Sequence, residues 1–266
     1  MSEEGTAVPP ANAINTSGEG KKVFLLYPHS VIREEMLDIL IMNGFETYTL
    51  FDHKKAIKIF GHFPGSIVFI NIDEGMPEKE WEVYIRSLLK EPETKDTKIG
   101  ILSYNQDKAL MGKYLMEIAV PCGYIQLKLG IQESTKIILN ALQANEAKGR
   151  RKYIRAFCDN DIHASMNFKY EQGICQGQIL DISSAGVAVR FPKLPDLPPN
   201  SLLREAQLKL HGTLLLTDVI LMGKRRDDPN SGIFLFDPTK LKPEHKLQIH
   251  HYIKQNLQRY IDKLKI

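Results

Sequence analysis

The sequence predicts an α/β plus all-β protein, in which a doubly wound parallel sheet precedes a small antiparallel barrel with a C-terminal helix. One observation predicts the sheet: five short apolar runs alternate with five amphipathic segments over residues 21–147. Another predicts the barrel: beyond Gly149, six strand-like pieces follow one another, separated by Gly, Pro and Asn. The length of 266 residues is sufficient for two domains of ordinary size.

Four segments are expected along the chain. Residues 1–20 are small and polar and contain Pro-Pro, so they are expected to form a flexible tail. A parallel-sheet domain is expected over 21–147 and a hinge over 148–155. The barrel and its C-terminal helix are expected over 156–266.

In the first domain, strands and helices are predicted from hydrophobic periodicity. The runs predicted as strands are Val23–Tyr27, Glu46–Leu50, Ser66–Ile72, Ile99–Ser103 and Tyr124–Leu127. The segments with helical spacing are Val31–Asn43, Lys54–Phe60, Glu80–Leu89, Lys108–Ile118 and Gln132–Ala147. The continuous β-branched run at residues 66–72 is typical of a strand that is covered on both faces.

In the second domain, the apolar pieces are short and closely spaced. Those predicted as strands are Asp161–Tyr170, Ile174–Leu180, Val187–Phe191, Arg204–Leu210, Thr213–Lys224 and Ile233–Phe236. Four prolines between 192 and 199 indicate an irregular connection. A helix is predicted after Pro243, because apolar residues recur at helical spacing from Ile249 to Leu264, and this stripe favours core packing over a partner site.

Composition excludes several classes of protein. The 35 Lys and Arg against 32 Asp and Glu leave a charge of +3, which does not indicate binding to a nucleic acid polymer. Three scattered cysteines indicate reduced thiols and a cytoplasmic protein. No apolar stretch is long enough for membrane insertion, and the first residues do not form a signal peptide.

No catalytic or metal site is expected. The sequence contains no GxSxG motif and no Gly-rich phosphate loop, so an enzyme is not predicted and no catalytic residue is assigned. His245, His250 and His251 are expected at the surface rather than on a metal, because no acidic ligands accompany them. No cofactor is expected.

The N-terminal domain resembles the response-regulator receiver family over about 125 residues. That family uses acidic residues after the first strand to hold Mg²⁺ and an aspartate at the end of the third strand to accept phosphate. Here the first position reads Tyr27-Pro28-His29 and the acceptor position is Asn71, which cannot form an acyl phosphate. Ser103 and Lys128 match the family's remaining positions, and Asp73 is a possible displaced acceptor. A docking or dimerisation domain is therefore expected rather than a phosphorylation switch.

Two motifs stand around the expected domain boundary. Residues 150–155 form an RRxxxR arrangement, with arginines at 150, 151 and 155. Residues 181–186 form a DxSxxG arrangement, followed by the strand that begins at Val187. Together, in this order and next to a small barrel, the two motifs resemble the PilZ domain family of cyclic di-GMP receptors. Either motif alone is weak evidence for this family. A solvated basic linker produces the first pattern, and an ordinary β-turn produces the second.

The resemblance implies that cyclic di-GMP binds Arg150, Arg151, Arg155, Asp181, Ser183 and Gly186. A guanidinium group can donate bidentate hydrogen bonds to phosphate oxygens or to guanine O6 and N7. A carboxylate accepts hydrogen bonds from guanine N–H groups. If residues 151–155 become helical, Arg151 and Arg155 lie on one side of a turn; a flexible linker that wraps around the ligand is the alternative. Gly186 allows a positive φ or a close backbone approach. Lys224–Asp228 is predicted as a solvated hairpin tip, with Arg226 as an alternative phosphate contact.

The hypothesis from the sequence is a cytoplasmic signalling adaptor. Nucleotide binding at the hinge and barrel rearranges the two domains and thereby controls a downstream protein partner. Regulation of motility or biofilm formation is what the resemblance implies. The alternative is a nucleotide-independent protein-interaction module with the same fold.

Overall fold

The structure, a computed structural model, describes residues 20–158 and 161–266. The tail predicted for residues 1–20 therefore lies outside the described residues, apart from Gly20. The strands are β1 Val23–Leu26, β2 Thr47–Leu50, β3 Ile67–Asn71, β4 Lys98–Ser103, β5 Tyr124–Gln126, β6 Ala156–Phe157, β7 Ser165–Tyr170, β8 Gly173–Ser183, β9 Gly186–Arg190, β10 Ser201–Leu210, β11 Thr213–Lys224 and β12 Ser231–Phe236. The helices are α1 Ser30–Met42, α2 His53–His62, α3 Glu78–Lys90, α4 Lys108–Gly112, α5 Ile131–Ala144 and α6 Pro243–Asp262.

The N-terminal half is the predicted doubly wound sheet. Its strands are all parallel and lie in the order β2-β1-β3-β4-β5. The central strands β1 and β3 are buried along their whole length, because helices cover both faces. The helix predicted from Lys108 to Ile118 is shorter, since α4 ends at Gly112 and continues as a π-helical turn from Lys113 to Glu117.

The C-terminal half is the predicted antiparallel barrel. The ring runs β8-β7-β10-β11-β12-β9, and pairing of β9 with β8 closes it. The two-residue strand β6, which the sequence analysis did not predict, adds to the side of β8 at the end of the barrel. The first predicted strand begins later, at Ser165 rather than Asp161. The fold class predicted from the sequence is confirmed.

Helix α6 packs on both halves. Its apolar stripe is buried, as predicted for a core-packing helix. On its other side, the Gln258 side chain lies against the edge strand β2: Nε2 donates to Thr49 O at 3.0 Å, and Oε1 accepts from Thr49 N at 2.9 Å and Thr49 Oγ1 at 3.1 Å. The amide therefore satisfies a backbone pair that a further strand would otherwise use.

Charged groups form a further contact of α6 with the N-terminal half, at helix α1. Lys254 Nζ lies 2.6 Å from Asp38 Oδ1 and 3.2 Å from Glu34 Oε2, and His250 Nε2 lies 3.0 Å from the same Asp38 oxygen. Burial acts to raise the pKa of Asp38, but the hydrogen bonds from Lys254 and His250 outweigh it and lower that pKa. The surface position predicted for His250 is wrong, because its ring is part of this interface.

Among the described residues, no helix is both long enough and apolar enough to cross a bilayer. The three cysteines are free thiols, and Cys122 and Cys158 are buried.

Candidate functional site

The arginine segment joins the two halves as an extended connection. Residues 148–155 contain no helix, so the helical juxtaposition considered for Arg151 and Arg155 does not occur. Ile154 is half-buried and packs against the core, which anchors the segment. Arg150, Arg151 and Arg155 are exposed. The backbone is therefore held while all three guanidinium groups are presented to solvent.

The same segment lies against the turn between α1 and β2. Gly44 in that turn has a φ of +85°, and a Cβ there would lie 3.1 Å from Lys152 O. Between the segment and the turn is a cavity of about 30 Å³, lined by Gly20, Gly44, Glu46, Gly149, Arg151, Tyr153, Ile154, Arg155 and Phe157. Ligand pockets are typically about 300–1,000 Å³, so this cavity does not admit a nucleotide as it stands.

Asp181 lies on β8 immediately after a β-bulge. The pairing with β9 shifts between Ile179, opposite Val189, and Asp181, opposite Ala188. One extra residue on β8 breaks the alternation of inward and outward side chains, and it re-aims the residues that follow. Asp181 is 6% exposed although it carries a carboxylate. A nearly buried carboxylate requires compensating charges or hydrogen bonds.

Two arginines supply such charges from different parts of the chain. Arg155 Nη1 lies 3.6 Å from Asp181 Oδ1, and Arg225 Nη1 lies 3.7 Å from Asp181 Oδ2. Both separations are those of ion pairs rather than of close hydrogen bonds. The structure therefore brings together Arg155 and Asp181, as expected of one site. It adds Arg225, which the sequence analysis did not select.

The hairpin between β11 and β12 is anchored rather than simply solvated. Arg225 N donates to Ser231 O at 2.8 Å, and Asp228 accepts from Arg190 Nε at 2.8 Å and from Ser231 Oγ at 2.6 Å. The hydrogen bonds from Ser231 and then Arg190 lower the pKa of Asp228 to about 2. Arg226, the alternative phosphate contact, is exposed, and no ion pair joins it to any other described residue.

Phe157 provides an exposed aromatic surface next to Asp181. It lies on β6 directly opposite Asp181 on β8, and it is 61% exposed. Residues opposite one another on paired strands project to the same face. The pairing depends on β6, a strand of two residues, so no periodicity in the sequence signals it. The signal that the sequence does contain is an aromatic residue two positions after Arg155.

Ser183 and Gly186 have structural roles in the β8–β9 turn. Ser183 Oγ donates to Gly186 O at 3.2 Å and accepts from Ala185 N at 3.3 Å. A Cβ on Gly186 would lie 2.1 Å from Phe234 O on β12, so the glycine is required by close strand packing. Of the two alternatives considered for Gly186, the close backbone approach is the one observed.

The carboxyl edge of the parallel sheet is filled by its own side chains. Buried Asn71 donates through Nδ2 to Tyr27 O at 2.9 Å. Asp73 lies in the following loop, where Ser103 Oγ and Tyr104 N each donate to its carboxylate at 2.6 Å. The Asp73 carboxylate thus lies at the edge where open α/β sheets bind ligands, and its hydrogen bonds are made within the same domain. Lys128 is exposed in the turn after β5.

Within residues 20–158 and 161–266, no three His, Cys, Asp or Glu side chains are grouped in a way that could hold a metal ion.

No family model matches the chain, and no curated protein matches it. Among solved structures, it is similar to the PilZ domain of YcgR from Escherichia coli with c-di-GMP. That match is 19% identical, covers 43% of this chain and 99% of that chain, and has a TM-score of 0.35. It is also similar to the Bacillus subtilis inhibitor of motility, with 15% identity, 43% and 53% coverage and a TM-score of 0.33.

A third similar structure is PlzA of Borreliella burgdorferi in complex with c-di-GMP. It is 15% identical, with 46% of this chain and 47% of that chain covered and a TM-score of 0.29. The chain thus spans about half the length of PlzA and of the motility inhibitor, and all of the isolated YcgR domain. Over part of its length, it is similar to PilZ-domain structures.

Proposed function

We propose that this chain is a receptor for cyclic di-GMP that acts as a signalling adaptor and not as an enzyme. The observation that carries the proposal is the position of Asp181. Its nearly buried carboxylate lies at the end of the barrel, in an ion pair with Arg155 of the segment that joins the two halves. An anionic ligand at this point contacts both the barrel and the connection.

Each group has a chemical role in the proposal. Arg150, Arg151 and Arg155 bind phosphate oxygens or the O6 and N7 edge of guanine, since their forked donors match both. Asp181 accepts hydrogen bonds from guanine N–H groups. The exposed Phe157 ring provides a stacking surface for a base.

We also propose that Ser183 and Gly186 fix the conformation of the β8–β9 turn beside Asp181. The Ser183 hydroxyl holds the turn, and Gly186 lets β9 approach β12. The backbone of this turn is thereby presented to the ligand in one conformation. Direct contact of either residue with the nucleotide remains part of the proposal.

The mechanism that we propose is a change in how the halves are arranged. The cavity beside the arginine segment is about 30 Å³, so the segment has to leave the turn at Gly44 when a nucleotide binds. A ligand shifts such an equilibrium only if it binds one arrangement more tightly. The arginines supply that difference, because their positions relative to Asp181 change when the segment moves.

The output of the proposed receptor is a contact with a downstream protein. We place the chain in the cytoplasm, where its free thiols stay reduced. Motility or biofilm formation is the kind of process that we expect it to control.

The first experiment is calorimetric titration of the full chain with cyclic di-GMP, beside an Arg151→Ala/Arg155→Ala variant. A Lys148→Ala/Lys152→Ala variant is the matched control, because it removes the same charge from the same segment. We expect the arginine variant to lose at least about a hundredfold in affinity, since each lost charge-assisted contact costs about 1.5–3 kcal/mol. The lysine variant should bind within about fivefold of wild type, because loss of a general charge attraction costs roughly 0–1 kcal/mol. Equal losses in both variants would contradict the assignment of these arginines.

A second experiment tests base stacking on Phe157. Stacking contributes about 1–3 kcal/mol per base, so Phe157→Ala should weaken binding roughly 5- to 150-fold. Ile174→Ala is the control, because Ile174 is 70% exposed on the same strand as Asp181 but near its other end. Unchanged affinity in the Phe157 variant would remove stacking from the site.

The alternative function is a protein-interaction module that does not bind nucleotide. It is favoured by the fact that Ser183 and Gly186 are engaged within the barrel itself. It predicts no heat of binding at several temperatures from a folded protein, whereas the receptor predicts binding that depends on the arginines.

A further inference from the structure

Arg225 has a defined place between the β11–β12 hairpin and Asp181. Its side chain is 35% exposed, and its Nη1 lies 3.7 Å from Asp181 Oδ2. Nε and Nη2 lie 3.2 Å and 3.3 Å from the Asp227 carboxylate, which orients the guanidinium. Arg225 is thus held at one carboxylate oxygen of Asp181, while Arg155 lies at the other.

The anchoring of this hairpin limits how far Arg225 can move. Arg190, at the end of β9, pairs with Ser231 at the start of β12, and Asp228 binds both of their side chains. The backbone N–H of Arg225 is itself bonded to Ser231. Arg155, by contrast, precedes β6 and belongs to the exposed connecting segment. Of the two arginines, Arg155 has the more exposed side chain, at 42%, and it lies outside this network of hydrogen bonds.

Removal of a cation from a nearly buried carboxylate is unfavourable. If Arg155 were the sole counter-charge of Asp181, its departure would leave a nearly buried charge without a cation, which costs free energy. That cost would be subtracted from the affinity for the ligand. With Arg225 in place on the other oxygen, the carboxylate keeps a cation when Arg155 leaves.

We infer that Arg225 is a positioning residue of the nucleotide site. It holds Asp181 as a permanent counter-ion and so releases Arg155 to the phosphate or guanine of the ligand. This inference rests on the proposed function, and it assigns a role to a hairpin residue outside both sequence motifs.

The test compares three variants of the full chain by calorimetry with cyclic di-GMP. Arg225→Gln should bind at least about tenfold more weakly, since Arg155 is then retained by Asp181. Lys224→Gln is the matched control, as it removes the same charge one residue away from a side chain that is 41% exposed, and it should bind within about twofold of wild type. Arg225→Lys keeps a cation near Asp181 and should restore most of the affinity. The melting temperature of each variant identifies any loss of folding.

A measurement without ligand separates positioning from direct contact. Trypsin cleaves after Arg155 only when that side chain and the backbone around it leave the barrel, which the ion pair with Asp181 opposes, so cleavage there should be slower in Arg225→Gln than in wild type or in Lys224→Gln. Weaker binding together with unchanged cleavage would mean that Arg225 touches the ligand itself, and it would overturn the positioning role.

The remaining outcomes are also decisive. If wild type binds and Arg225→Gln binds equally well, or if Lys224→Gln loses as much, the inference is wrong while the receptor stands. If Arg225→Gln does not fold, Arg225→Lys carries the test: it must bind nearly as wild type does. If wild type itself does not bind the nucleotide, the proposed function fails first, and the cleavage assay alone reports whether Arg225 and Arg155 share Asp181.

Discussion

Replacement of Gly186 by alanine distinguishes two roles for this residue, one in the packing of the barrel and one in contact with a ligand. A Cβ on Gly186 would lie 2.1 Å from Phe234 O and 3.0 Å from Leu235 Cα, both on the neighbouring strand β12. An ordinary close C···O contact is about 3.3 Å, so the two strands would have to separate by roughly 1 Å. Both contacted atoms belong to the backbone, and rotation of a side chain cannot relieve the overlap.

The magnitude follows from this geometry. Overpacking costs about 1–3 kcal/mol, and disturbed pairing between β9 and β12 adds about 1 kcal/mol for each weakened hydrogen bond. We therefore expect Gly186→Ala to lower the free energy of unfolding by about 2–5 kcal/mol. At about 2–4 °C per kcal/mol, the melting temperature should fall by roughly 4–20 °C.

The assay is thermal melting followed by far-ultraviolet circular dichroism, with calorimetric titration of the same samples. Gly112→Ala is the control, because no atom lies within 4 Å of the added Cβ and the residue is helical. Its stability should stay within about 1 kcal/mol of wild type. A Gly186→Ala protein that melts normally but no longer binds nucleotide would refute the packing argument and make the glycine a ligand contact.

Two further predictions concern the contact between α6 and the N-terminal half. Gln258→Ala removes the three hydrogen bonds to Thr49. Hydrogen exchange of the Thr49 amide should therefore accelerate at least about tenfold. Gln255→Ala on the same helix should leave that exchange unchanged, and equal protection in both variants would contradict the edge-strand contact. Because the pKa of Asp38 is lowered in the folded state, its contribution to stability is present above its ordinary pKa of 3.8 and is lost as the pH falls below it. The stability difference between wild type and Asp38→Asn should shrink between pH 6 and pH 3, and a constant difference would contradict the ionic contact with Lys254.

The sequence predicted the elements well where each one carries its own periodicity. Five alternating strands and helices could be identified because every buried strand, such as β3, is a continuous apolar run. Strand β6 was missed because two residues carry no period. The end of α4 was misplaced, since apolar spacing does not distinguish an α-helix from the π-helical turn that follows it.

The site was predicted only in part, because its geometry depends on contacts between distant residues. Arg155 and Asp181 do meet, as their motifs indicated. Arg225 could not be distinguished from Arg226 in the sequence, since the conformation of the hairpin decides which of the two side chains lies near Asp181. The surface position expected for His250 failed for a related reason: one face of α6 packs on the barrel, and another contacts α1.

The bond between Gln258 and Thr49 also has a consequence for synthesis of the chain. The two residues are separated by 209 positions, and translation proceeds at about 5–20 residues per second. For roughly 10–40 s after Thr49 has been synthesised, the edge of β2 therefore has no cover from α6. An uncovered edge invites pairing with a neighbouring nascent chain. At four residues, β2 is short enough to make such pairing weak, so its length protects the molecule until α6 emerges.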